Sequence, residues 1–229
     1  MALVNRGFAY GELGRSIEEI AVYDEVIGRF GDAPELALRT RVANALVNKG
    51  VRLGALGQSP EEIATYDEVV RRFGDAPELA LRVQVARALF NKGVAYGQLG
   101  QLPEEIATYD EVICRFGDAP ELALRTRVAR ALFNKGARYG QLGQSSEAIP
   151  TYDEVVRRFG DAGEPVLREQ VAKALVNTGV RLGQLGQPEA EIAAYDQVVE
   201  RFGEATEPAL REQVARALYN KGFRLVSRS

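Results

Sequence analysis

The chain has 229 residues, 46% apolar and 27% charged, the composition of a folded protein and not of a disordered, collagenous or low-complexity one. Its 29 basic and 32 acidic residues leave a net charge of −3, so no basic excess draws it to nucleic acid or to an anionic membrane. One cysteine and no histidine exclude a disulfide framework and the usual zinc sets, and remove the commonest general base.

Internal repetition dominates the reading. Ala-Leu-Val-Asn begins at Ala2, Ala45 and Ala174, Ala-Leu-Phe-Asn at Ala88 and Ala131, and Ala-Leu-Tyr-Asn at Ala217, always 43 residues apart. Residues 45–87 and 88–130 differ at nine of 43 positions. The expected organisation of 1–229 is one array: units 2–44, 45–87, 88–130, 131–173 and 174–216, closed by 217–229. A period of this size is that of a stacked solenoid.

In chain order, each unit reads as two helices. In the second copy Ser59 is the expected cap, Pro60 the first helical residue and Glu62 the third after the cap. Acidic Glu61 and Glu62 come early and Arg71 and Arg72 late, as the helix dipole favours. Gly117 is expected to take a left-handed conformation that ends one helix. Asp118 then caps the next, Pro120 sits in its first turn, and Glu121 completes a capping box. Its apolar stripe runs Leu124, Val128, Ala131, Leu132, Gly136, Tyr139, Leu142, in steps of three and four. That helix is about 23 residues long, roughly 34 Å. A second helix from Ser145 to Phe159 carries Ala148, Ile149, Tyr152, Val155, Val156 and Phe159 on one face. Pro150 replaces Ala21, Ala64, Ala107 and Ala193, and is expected to shift or kink the start of its helix. Connections of about three to five residues make successive helices antiparallel neighbours.

The segment Ala88-Leu-Phe-Asn-Lys-Gly93, followed by Tyr96, Leu99-Gly100, Glu104, Ile106 and Tyr109, resembles the tetratricopeptide repeat. The small residue of that repeat falls on Gly50, Gly93, Gly136 and Gly179, and its turn glycine on Gly57, Gly100, Gly143 and Gly186. Its second-helix aromatic falls on Tyr66, Tyr109, Tyr152 and Tyr195. The resemblance implies an all-α solenoid of antiparallel helix hairpins, wound as a right-handed superhelix. The period exceeds the usual 34 residues, so the chain resembles a lengthened subclass. Glu19, Glu62, Glu105 and Glu191 stand where the family packs an alanine, which survives as Ala148.

The resemblance also implies that first helices line a concave, partner-binding face. On it would lie Asn48, Asn91, Asn134 and Asn177, whose amides can clamp an extended peptide or, alternatively, bond between helices and hold the stack. Beside them lie Phe90, Phe133, Gln98 and Gln141, and one turn earlier Arg87 and Arg130. Asparagine next to basic residues is similar to the carboxylate-clamp members of the family. The basic positions do not follow that clamp residue by residue, and a solvated basic face is the other reading.

No catalytic set stands out. Cys114 has no histidine to pair with, and the Asp110-Glu111 pair and its copies read as a solvent face. No catalytic residue, metal or cofactor is expected. At the C-terminal end Leu218, Gly222 and Leu225 form a stripe with no following helix to cover it, so the ends are expected to pair between chains as a homo-oligomer. No run of about 18 apolar residues is present and the N-terminus lacks the shape of a signal peptide, so a cytoplasmic location without membrane contact is expected. The function expected is a non-enzymatic scaffold that binds a protein or peptide and no nucleic acid. The alternative is a designed or excised array whose activity is folding and self-assembly.

Overall fold

The computed structural model describes residues 15–226. Among them are ten α-helices and no strand: α1 (Ser16–Phe30), α2 (Leu36–Ala55), α3 (Ser59–Phe73), α4 (Leu79–Gln98), α5 (Leu102–Phe116), α6 (Leu122–Gln141), α7 (Ser145–Phe159), α8 (Pro165–Gln184), α9 (Pro188–Phe202) and α10 (Pro208–Val226). Helices of 20 residues alternate with helices of 15 up to α9, and each kind restarts every 43 residues. The start of the first expected unit, with Ala2, lies outside the described residues.

The chain divides into two compact units, residues 1–117 and 118–229. In the first, α1 to α5 pack each on the next, and α2 also packs on α4. In the second, α6 to α10 do the same, with α8 touching both α6 and α10. Within each unit, long helices thus meet each other as well as the short helices beside them. This is why α8 buries Leu167, Val171, Ala172, Ala174, Leu175 and Val176, more than one stripe. The short helices bury one face, for example Tyr109, Val112 and Phe116 of α5.

The tyrosines of α3, α5, α7 and α9 each lie against a glycine of the long helix before them. A methyl at Gly93 would sit 2.6 Å from Tyr109 Cε1, and one at Gly136 would sit 2.7 Å from Tyr152 Cε1. Only the absent Cβ lets the ring approach this closely.

Several local expectations are corrected. The left-handed glycines are Gly57, Gly100, Gly143 and Gly186, at φ 70–74°, where the long helices end. Gly117 is right-handed, at φ −58° and ψ −36°. At the equivalent Gly74, the amide bonds Val70 O at 2.8 Å and a Cβ would lie 2.5 Å from that oxygen. Glycine is needed there for closeness, not for handedness. Helix α6 starts at Leu122 behind an extended Glu121, so Asp118 and Pro120 precede it and the helix has 20 residues. No side chain caps it. The carbonyl of Glu121 accepts from the amides of Leu124 and Arg125, both at 3.0 Å. Ser59 is the first residue of α3 and not its cap, while Pro60 lies in the first turn as expected. Pro150 sits inside α7 on an exposed position and leaves the start at Ser145, in register with the other short helices. Leu142, placed on the buried stripe by its spacing, is 47% exposed.

No described helix is long and apolar enough to cross a membrane.

Candidate interaction face

Each long helix after α2 carries a basic residue and an asparagine one turn apart, whereas α2 has Asn44 before Asn48. The pairs are Arg87 and Asn91 on α4, Arg130 and Asn134 on α6, Lys173 and Asn177 on α8, and Arg216 and Asn220 on α10. A spacing of four puts them on one line of the helix. All the asparagines are half-buried, as are Arg87, Arg130 and Lys173, so their polar ends are reachable. Gln98 and Gln141 lie further along and are exposed.

The asparagines also reach into the stack. The Tyr23 and Tyr66 hydroxyls accept from Asn48 and Asn91, and Tyr195 from Asn220. Asn177 Nδ2 donates to the Tyr152 oxygen at 3.4 Å. Each contact links a short helix to the long helix after it. Arg87 Nη2 reaches Asn48 Oδ1 at 3.4 Å, and its Nη1 donates to Gln84 at 2.9 Å. Burial holds the Arg87 guanidinium below its ordinary range.

Phe90 packs on Tyr109 with ring centroids 6.0 Å apart, and Phe133 on Tyr152 at 5.9 Å, both tilted at 42°. These phenylalanines are half-buried parts of the hairpin and continue the face only by their outer edges.

A model of the family described as tetratricopeptide repeat matches residues 47–121, and a second with the same description matches 129–160. Residues 47–121 and 129–160 are thus tetratricopeptide-repeat-like. Two solved structures share the fold. One is a tetratricopeptide repeat protein from Parabacteroides merdae, at TM-score 0.59 and 15% identity, matched over 99% of this chain and 75% of that one. The other is a Podosopora anserina putative kinesin light chain with nearly identical repeats, at TM-score 0.61 and 13% identity, over 87% and 92%. At these identities they show the fold alone. No curated protein matches the sequence significantly.

Against that repeat, the acidic departures become informative. Glu19, Glu62, Glu105 and Glu191 are all buried, at 2–7% exposure. Tyr23 donates to Glu19 at 2.6 Å, and Tyr66 to Glu62 at 3.2 Å. Glu191 receives Tyr195 at 3.3 Å and pairs with Arg224 Nε at 2.5 Å. Desolvation, with the Glu191 charge second, pushes the Tyr195 hydroxyl up to about 12. The resulting relay of asparagine, tyrosine and glutamate is a structural clip. Sequence reasoning singled out the glutamates as departures without finding that they are buried. The signal available was their spacing of four before the tyrosines.

Apolar exposure concentrates on α10. Leu218 is 51% exposed and Leu225 47%, and Gly222 is exposed with open space at its Cβ position. Tyr219, Phe223 and Val226 are exposed further, at 76%, 67% and 77%, and the spacing argument missed them. Among the described residues no group of three histidine, cysteine, aspartate or glutamate side chains could hold a metal ion. Cys114 is exposed.

Proposed function

We propose that this protein is a non-enzymatic scaffold that binds an extended peptide or protein segment along the face that the long helices build within each unit. The observation that carries this reading is the recurrent half-buried asparagine with a basic residue one turn before it. The amides of Asn91, Asn177 and Asn220 each bond a tyrosine with part of a capacity of two donors and one acceptor oxygen, and a ligand backbone can engage the rest. The basic residues supply charge attraction to acidic or C-terminal carboxylate groups. The matches to tetratricopeptide-repeat models support the class of function, since resemblance to these repeats implies interaction modules. The test is selection from a displayed peptide library, followed by Arg130→Glu with Lys173→Glu in one variant. The selected peptides should bind the parent and lose the variant while its helical circular dichroism is unchanged. Peptides that bind both equally would sink the reading.

A second reading, self-association, rests on the apolar surface of α10. Leu218, Gly222 and Leu225 would contribute to it with Tyr219 and Phe223. Sedimentation velocity decides it: a monomer at every concentration removes it.

A further inference from the structure

The long helices repeat a lysine at one position: Lys49, Lys92, Lys135 and Lys221. In the fourth of the five long helices that residue is Thr178. Lys49 Nζ lies 2.6 Å from Asp24 Oδ1, Lys92 Nζ lies 2.5 Å from Asp67 Oδ1, and Lys221 pairs with Asp196. Each pair is 25 residues apart and joins a long helix to the short helix before it. Asp153 occupies the same place relative to Thr178, and a threonine carries no charge to offer it.

The missing aminobutyl group leaves space. A cleft of about 550 Å³ opens between α7 and α9 with α8 as its floor. Asp153 stands at its edge, and Leu175 and Leu182 form its apolar wall. Other substitutions widen it. Ala190 replaces Glu61, Glu104 and Glu147, and Ala194 replaces Thr65, Thr108 and Thr151. Leu182 replaces Tyr96 and Tyr139, whose rings lie beneath the lysine ammonium groups of their own repeats at 5.6 and 5.9 Å. Thr178 lines the cleft, is 7% exposed, and its buried Oγ1 has no hydrogen-bond partner. Such a group costs free energy until something bonds it. Arg157 is also in the wall, but its Nε and Nη2 are held by Glu154 at 2.6 and 2.5 Å. Desolvation holds the Asp153 carboxyl above its ordinary range, while the residue as a whole is exposed.

We propose that this cleft binds a primary alkylammonium group, carried by a free amine or by a lysine side chain of a partner protein. The ammonium takes the place of the absent lysine's, on the Asp153 carboxylate, with Thr178 beneath the alkyl chain at the base of the cleft. Its alkyl chain lies along Leu175 and Leu182. The cleft is on the short-helix side of α8, so the site stands apart from the asparagine face and does not depend on it.

The test is NMR titration of the full chain with n-butylammonium chloride, with n-butanol as the uncharged control. Saturating shifts at Thr178 and Asp153 are expected, with a dissociation constant on the order of 1 mM and at least about tenfold weaker binding of butanol. Asp153→Asn should weaken butylammonium about tenfold. Thr178→Lys, which recreates the arrangement of the other repeats and so should fold, should abolish it and raise the melting temperature. Comparison with Nα-acetyl-lysine methylamide separates the sources. Tighter binding of the capped lysine assigns the site to a partner's lysine, and tighter binding of butylammonium assigns it to a free amine. Equal shifts with butanol, no shifts at all, or unchanged binding in Thr178→Lys would overturn the proposal.

Discussion

Arg52 Nε lies 2.5 Å from Glu19 Oε2, pairing a carboxylate that is only 3% exposed. One repeat later Glu62 is buried in the same way, but Ala95 stands at the arginine's position. Burial then holds the Glu62 carboxyl above its ordinary range, with only Tyr66 donating to it. The fourth repeat shows the converse. There Ala148 replaces the glutamate, and Arg181 donates to Gly140 O instead, at 2.6 Å. A buried charge without its partner costs more than the pair it came from.

Glu62→Gln should therefore stabilise the protein at pH 7 by about 1 kcal/mol. A raised folded pKa means that the native state holds its proton more tightly than the unfolded chain. The contribution of Glu62 is present below the ordinary carboxylate range and is lost as pH rises through the folded value. The difference between parent and variant should vanish near pH 4, as urea melts at the two pH values would show. Glu19→Gln should do the opposite at pH 7, because it strands Arg52.

Gly93→Ala drives a methyl against the Tyr109 ring and should cost about 1–3 kcal/mol. Gly100→Ala meets no atom within 4 Å but must hold φ +72°, and should cost about 1–2 kcal/mol. Thermal denaturation distinguishes these glycines from Gly163, where a methyl meets nothing and alanine should be close to neutral.

Asn177→Ala removes the bond to the Tyr152 oxygen and should cost about 1 kcal/mol. As a member of the proposed face it should also weaken peptide binding. A variant that melts earlier yet binds a selected peptide with full affinity would assign the asparagines to the stack alone.

Phe223→Glu and Tyr219→Glu place charge on the exposed surface of α10. Where the parent associates, these variants should sediment as monomers with unchanged helix content. Association that persists in both would place the contact elsewhere.

The sequence by itself determined the helices, their alternation and their 43-residue restart. Those features rest on periods of three and four within a helix and on glycine and proline between helices, which are local signals. The resemblance to the tetratricopeptide repeat was carried by Gly93, Gly100 and Tyr109 in their own spacing. Tertiary structure decided the rest. Asp118 and Ser59 look like caps, but packing sets the helix starts at Leu122 and Ser59. Gly117 and Gly143 look alike on paper, and only Gly143 is left-handed. Glu62 reads as a surface acid until a neighbouring long helix covers it. The partners of these charges sit 25 or 33 residues away on another helix. A substitution at one of them, Ala95 or Thr178, changes the chemistry of a residue that is itself unchanged.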